Sequence, residues 1–234
     1  MGHEWGTTVR CRNHVVPMRL AALHVSSPAV VPDWAGKTGA PTWPPSAFAL
    51  PGHRAPPSYA PGAMGPPSLA FTDVETTGLD PGRHEVWEVA LVIDEGAYVW
   101  QLPVDLGRAE PAALGLGHFY DRRSEDLTPH AEFADVFSRL TWGCHLAGAC
   151  VSFDAERLAL LLRANGACPG WHHRILDVEA YAAGALGLPA PIGLRDTAAR
   201  LGVEVAEGEL HTALGDAQLA RAVYEAAHDR RRSG

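Results

Sequence analysis

The chain has 234 residues, 47% hydrophobic and 20% charged, with a formal net charge of −8. That suits one globular domain plus an accessory segment, and no run of about 18 apolar residues is there to span a membrane. Residues 1–68 hold two acids and five bases, a net of +3, and residues 69–234 carry −11. An acidic domain excludes a broad phosphate-neutralising surface for long duplex nucleic acid, yet it is compatible with a few nucleotides held through metal ions at one point.

Residues 1–68 contain 12 of the 19 prolines, clustered as in PTWPPSAFALPGHRAPPSYAPGAMGPP. No period of 3.6 or 2 persists there, and Pro and Gly at this density sustain neither a helix nor a ladder. The expectation is a disordered tail over residues 1–66 with polyproline-II stretches. Met64, just before the domain, is a candidate translation start. The N-terminus has no compact apolar core with a small-residue cleavage site, so the cytoplasm is the expected compartment. Cys11, Cys144, Cys150 and Cys168 lack C-x-x-C spacing, and Cys144 and Cys150 read as buried thiols.

From Ser68 the texture changes. SLAFTDVET is an apolar run ending in polar residues, a buried strand. ETTGLDPGRH is turn chemistry, and HEVWEVALVIDEGAYVWQLPV reads as two strands joined at Glu95-Gly96. AEPAALGLG is a weak helix, and HAEFADVFSRLTW a better one with Phe133, Val136, Phe137 and Leu140 on one face. CHLAGACVS gives a buried strand over 145–151, then FDAERLALLLRANGA a strong helix with Ser152 as its expected N-cap. RILDV is a short strand, and EAYAAGALG, GLRDTAARLGV and TALGDAQLARAVYEAAHD are helices. The sum is an α/β domain over residues 67–229, a mixed sheet with helices on its faces, followed by a short disordered basic tail over 230–234.

Three islands carry chemistry. Asp73 and Glu75 stand two apart on a strand, so period-2 geometry puts both carboxylates on one face. Such neighbours repel unless a cation sits between them. Asp154 follows a buried strand and opens a helix, at the strand end where sites collect in α/β sheets. His211 and Asp216 are five apart, about 140° around an ideal helix, and so would not share a face. With Thr212 as N-cap, His211 falls on the preceding loop and Asp216 in the first turns, where the two can converge. Four carboxylates and one histidine can hold two divalent cations and activate a water, which is phosphodiester-cleaving chemistry.

FTDVETTGL, VSFDAERL and HTALGDAQLA, in this order, resemble the three motifs of the DEDDh (DnaQ-like) 3′–5′ exonucleases, over about residues 68–228. The resemblance implies a ribonuclease-H-like fold and catalysis by two Mg²⁺ or Mn²⁺ ions, with nucleoside 5′-monophosphates as products. It implies that Asp73 bridges both ions, that Glu75 and Asp216 complete the nucleophile-side one, and that Asp154 holds the other. His211 would be the general base. The turn Thr76, Thr77, Gly78 and Leu79 would line the pocket for the 3′-terminal nucleotide, with Leu79 against the base. The expected substrate is the 3′ end of single-stranded DNA, in a replication or repair setting, with a polymerase or other replication protein as partner. RNA trimming by the same family is the alternative, and a non-catalytic nucleic-acid-binding module a further one. Many members carry His-Asn where Ala149-Cys150 stands here, which bears on rate and substrate preference.

The remaining polar groups read as structural. Trp171-His172-His173, His118, His130 and His145 lack zinc-ligand spacing. Asp177 resembles a recurrent family aspartate and is expected to be structural or to support the site residues from behind. Arg122 and Arg123 read as a solvated loop pair, with contact to the substrate backbone as the other reading.

Overall fold

In the computed structural model the apolar run that opens at Ser68 becomes the central strand of a five-stranded sheet. The structure describes residues 68–94, 96–205 and 211–233, together with the backbone of 8–11 and 14–17. Met1–Gly62 and Ala63–Gly234 form separate units. In the first unit, β1 (Thr8–Cys11) pairs antiparallel with β2 (His14–Pro17). These two strands are the described part of the stretch expected as a disordered tail. The rest of that expectation lies outside the described residues.

In the second unit, β3 (Leu69–Thr76), β4 (Val86–Ile93) and β5 (Gly96–Gln101) form an antiparallel meander. Ile93 pairs with Gly96, and Asp94, just past β4, takes a left-handed φ of 49°. The chain then runs through α1 (Pro111–Leu116), α2 (Phe119–Arg122) and α3 (His130–Leu140). It returns as β6 (His145–Gly148), parallel to β3, and after α4 (Val151–Ala164) adds β7 (Leu176–Asp177) parallel to β6. The helices α5 (Val178–Leu186), α6 (Leu194–Leu201) and α7 (Ala213–Ser233) complete the unit. Strand order is β5-β4-β3-β6-β7, the expected mixed α/β sheet.

Alternation along β3 and β4 sorts the core into two layers. Ala70, Val74, Val89 and Leu91 pack with Phe133 and Phe137 of α3 and Leu158 and Leu162 of α4. Phe71, Ala90 and Val92 point the other way, onto α5, α6 and α7. That second layer is rich in alanine: Ala182, Ala198, Ala213, Ala217 and Ala220 are buried in it. Small side chains let α7 lie close over β3 and β4, and closeness is what short carboxylates on helix and strand need in order to meet.

Three boundaries differ from the sequence reading. The strand expected over 145–151 ends at Gly148, where a Cβ would sit 2.6 Å from the Thr72 carbonyl oxygen. Cys150 then takes a left-handed φ of 49° and α4 starts at Val151, so Ser152 lies inside the helix and is not its cap. The disordered tail expected over 230–234 is helical through Ser233, and Arg230, Arg231 and Arg232 in the last turn suit the negative end of the helix dipole.

At the start of β6 three imidazoles form a ladder. His145 and His172 rings are 4.2 Å apart between centroids, as are His172 and His173. His145 Nδ1 donates to the Arg174 carbonyl at 2.6 Å, and the Arg174 amide donates to His172 Nδ1 at 3.1 Å. Desolvation, then the charges of His145, His173 and Arg174, hold His172 below its ordinary value of 6.5. The unfolded chain therefore binds this proton first as pH falls, and the fold loses stability below the ordinary histidine range. Melting wild type and His145→Gln from pH 8 to pH 5 should give a shallower acid-side decline in the variant. Parallel curves would remove the ladder as the cause.

Candidate active site

The end of β3 supplies the first two carboxylates. Phe71, Asp73 and Glu75 share the face that α7 covers, and Asp73 and Glu75 are 2% and 7% exposed. Thr72 faces the other way, its hydroxyl donating to the Ala90 carbonyl at 2.8 Å. The third carboxylate comes from α7. Thr212 Oγ1 accepts from the Gly215 amide at 3.0 Å, and the Asp216 amide donates to the Thr212 carbonyl at 2.9 Å. Thr212 thus caps the helix as its sequence suggests. Asp216, 8% exposed, is carried on the first turns, and one oxygen from each of Asp73, Glu75 and Asp216 lies within 4.8 Å of the others.

Asp154 reaches the same strand from the opposite helix layer. It is 1% exposed, and its Oδ1 accepts from the Val74 amide at 2.9 Å, the peptide between the two strand carboxylates. His211 sits immediately before the cap, half-buried, at a left-handed φ of 59°. Four carboxylates are therefore gathered about β3, three of them in one cluster, with the histidine on the loop that leads into α7.

Three buried like charges that close suit a divalent cation, and all-oxygen donors suit a hard one such as Mg²⁺ or Mn²⁺. A second group brings ligand-type atoms of Cys150, Asp177 and Glu179 within 4.8 Å of one another. There Cys150 Sγ donates to Glu179 Oε2 at 3.6 Å, and Asp177 caps α5 by accepting from the Ala180 amide at 2.8 Å. Cys150 is half-buried, unlike the buried thiol expected, because it occupies the turn into α4. Among the described residues no histidine belongs to either group.

The turn after β3 is strapped on several sides. Thr76 Oγ1 donates to the Gly78 carbonyl at 2.8 Å, and Thr77 Oγ1 accepts from the Glu85 amide at 2.9 Å. A Cβ at Gly78 would lie 2.4 Å from the His84 ring, so glycine is needed for this approach. The Arg157 guanidinium donates to the Leu79 carbonyl and stacks 3.3 Å from the Phe153 ring centroid. The turn is held rigidly while the Leu79 side chain stays 40% exposed.

Sequence reasoning misses Glu88 and misplaces Arg122. Glu88 pairs with Glu75 across the ladder, is 2% exposed and forms an ion pair with Arg122. Arg122 is thus half-buried rather than solvated. Arg123 lies 5.2 Å from the Phe119 ring centroid, and burial lowers its pKa. A lone acid inside VWEVALVI was the available signal, since an unpaired charge is rarely buried in a strand.

No family model and no curated protein matches this chain. Solved structures do. E. coli exonuclease I in complex with a dT13 oligonucleotide is 21% identical at a TM-score of 0.58, over 71% of this chain and 42% of that one. The zinc-ion-bound form of the E. coli exonuclease I–ssDNA complex is 20% identical at 0.59, over 71% and 41%. The exonuclease I complex with SSB-Ct is 20% identical at 0.57, over 71% and 42%. The chain thus spans about 42% of the length of the first of these structures. At this identity the likeness speaks to architecture: the chain has the ribonuclease-H-like fold that E. coli exonuclease I has.

Proposed function

We propose that this protein is a DEDDh-type 3′–5′ exonuclease that releases nucleoside 5′-monophosphates from the 3′ end of single-stranded DNA. The observation that carries this reading is the convergence of Asp73, Glu75 and Asp216, all buried, with oxygens within 4.8 Å of one another. A pure binding module has no use for carboxylates that repel one another. In this reading Asp73, Glu75, Asp154 and Asp216 hold two Mg²⁺ or Mn²⁺ ions. Bound there, the ions would offset the charge that develops on the phosphodiester and its leaving oxygen.

The protein's own groups supply the rest. His211 takes the proton from the attacking water. Thr76, Thr77 and Gly78 form a fixed wall for the terminal nucleotide, and the exposed Leu79 offers an apolar face to its base. The net charge of −11 beyond residue 68 disfavours long duplexes and is compatible with one strand end entering a metal-charged site. The oligonucleotide complexes of exonuclease I support the choice of single-stranded DNA, and its SSB-Ct complex supports a replication-protein partner. Among the described residues no helix is long and apolar enough to cross a membrane. A cytoplasmic site of action belongs to the same proposal.

The test is incubation with labelled single- and double-stranded DNA and RNA oligomers, with Mg²⁺, Mn²⁺ or chelator. Expected is metal-dependent release of 5′-mononucleotides, fastest from single-stranded DNA. Absence of mononucleotide with every substrate and either metal would end the exonuclease reading.

Every candidate site residue named above lies within the second unit, Ala63–Gly234. A chain starting at Met64 should therefore keep its nuclease rate and melting temperature close to those of the full chain. A truncated protein that unfolds or loses activity would assign residues 1–63 a part in the domain.

A further inference from the structure

Glu88 is the sole charge in the apolar strand VWEVALVI, and its carboxylate reaches the start of α7. Its Oε1 accepts from Gln101 Nε2 at 3.0 Å. Its Oε2 accepts from the amide of Ala213, the first residue of α7, at 3.1 Å, and pairs with Arg122 Nη2. Helix N-termini leave amides without partners inside the helix and favour negative charge, so Glu88 anchors the very end from which Asp216 projects. Arg122 spreads the link further. Its Nη1 donates to the Gly117 carbonyl at 2.9 Å and to the His211 carbonyl at 3.4 Å. Gly117 in turn packs so tightly on Glu75 that a Cβ there would lie 2.9 Å from Glu75 Oε2. The guanidinium lies 5.4 Å from the Trp87 ring centroid, which limits its movement.

We propose that Arg122 and Glu88 are positioning residues that fix the His211 loop and the start of α7 against the β3 carboxylates. Neither touches the reacting atoms. Arg122 acts through the His211 carbonyl, and Glu88 acts through the Ala213 amide. Glu88 stands in register with Glu75 yet lies outside the carboxylate cluster, and Arg122 meets its charge. The kinetic part of this proposal rests on the exonuclease reading, while the structural part does not.

Arg122→Lys keeps the charge opposite Glu88 but cannot reach one carboxylate and two carbonyls with a planar fork. Its kcat should fall about 10²-fold, the size of a sub-ångström to 1 Å misplacement of a catalytic group. KM and Mn²⁺ affinity should stay within about twofold of wild type, since the metal-ligating carboxylates are untouched and only a catalytic group is misplaced. Amides of residues 211–216 should exchange with deuterium faster, with exchange in β3 and β4 unchanged. Glu88→Gln, which keeps an acceptor for Ala213 but loses the charge for Arg122, should give the same split. A merely structural pair would lower the melting temperature and leave both kcat and loop exchange at wild-type values, and that result overturns the proposal. If the wild type releases no nucleotide, the exonuclease reading fails, and the exchange measurement alone decides the clamp.

Discussion

Asp73→Asn should abolish detectable Mn²⁺ binding and cut mononucleotide release by about 10⁴-fold or more, the scale seen when a central catalytic group is removed. Asp73 lies deepest of the three clustered carboxylates, 2% exposed. Asparagine has its shape and one of its oxygens but none of its charge. The second half of the prediction has the opposite sign. In chelator, the variant should melt above wild type, because one member of a mutually repelling trio is gone. Coulomb repulsion at these separations and an effective dielectric near 20 allows about 1–3 kcal/mol. Mn²⁺ should raise the melting temperature of wild type by mass action and leave the variant's unchanged. Calorimetric titration and thermal melts with and without chelator check both halves. A variant that binds Mn²⁺ like wild type would remove Asp73 from the metal centre.

What was legible in the sequence was local. The two-residue spacing of Asp73 and Glu75 fixes a common face once the strand is recognised, and Thr212 before ALGD announces a cap through the chemistry of its own hydroxyl. The alternation of β4 and β5, which pair antiparallel out to Ile93 and Gly96, is likewise carried by their own residues. What stayed illegible was set by contacts distant in sequence. The Asp154 bond to the Val74 amide spans 80 positions, and the Glu88 bond to the Ala213 amide spans 125. Arg122 looks like half of a solvated pair when only its neighbours are read, because the carboxylate that buries it stands 34 residues away. The start of α4 was misread for a related reason. Gly148 lies where any Cβ would meet the Thr72 carbonyl of another strand, and the chain turns at Cys150 before any capping side chain is reached.

His211→Asn should leave Mn²⁺ affinity near wild type and slow turnover by about 10²–10⁴-fold, the usual size of general-base catalysis. The choice of asparagine follows from the backbone. His211 sits at φ 59°, a region that asparagine tolerates better than most residues, so the variant removes the imidazole without straining the turn into α7. The Arg122 bond to its carbonyl and the Thr212 cap both use groups that the substitution keeps. Among the described residues the histidine contributes no atom to the carboxylate cluster, which is why metal binding should survive. Asp216→Asn is the contrasting variant: it should weaken metal binding itself, because its oxygen is one of the clustered three. Single-turnover rates at saturating Mn²⁺, set beside calorimetric titration, separate the two. If His211→Asn lost metal binding as severely as Asp216→Asn, histidine would be a ligand and the base would have to be sought elsewhere. If its turnover matched wild type, the attacking water would be losing its proton without help from this side chain.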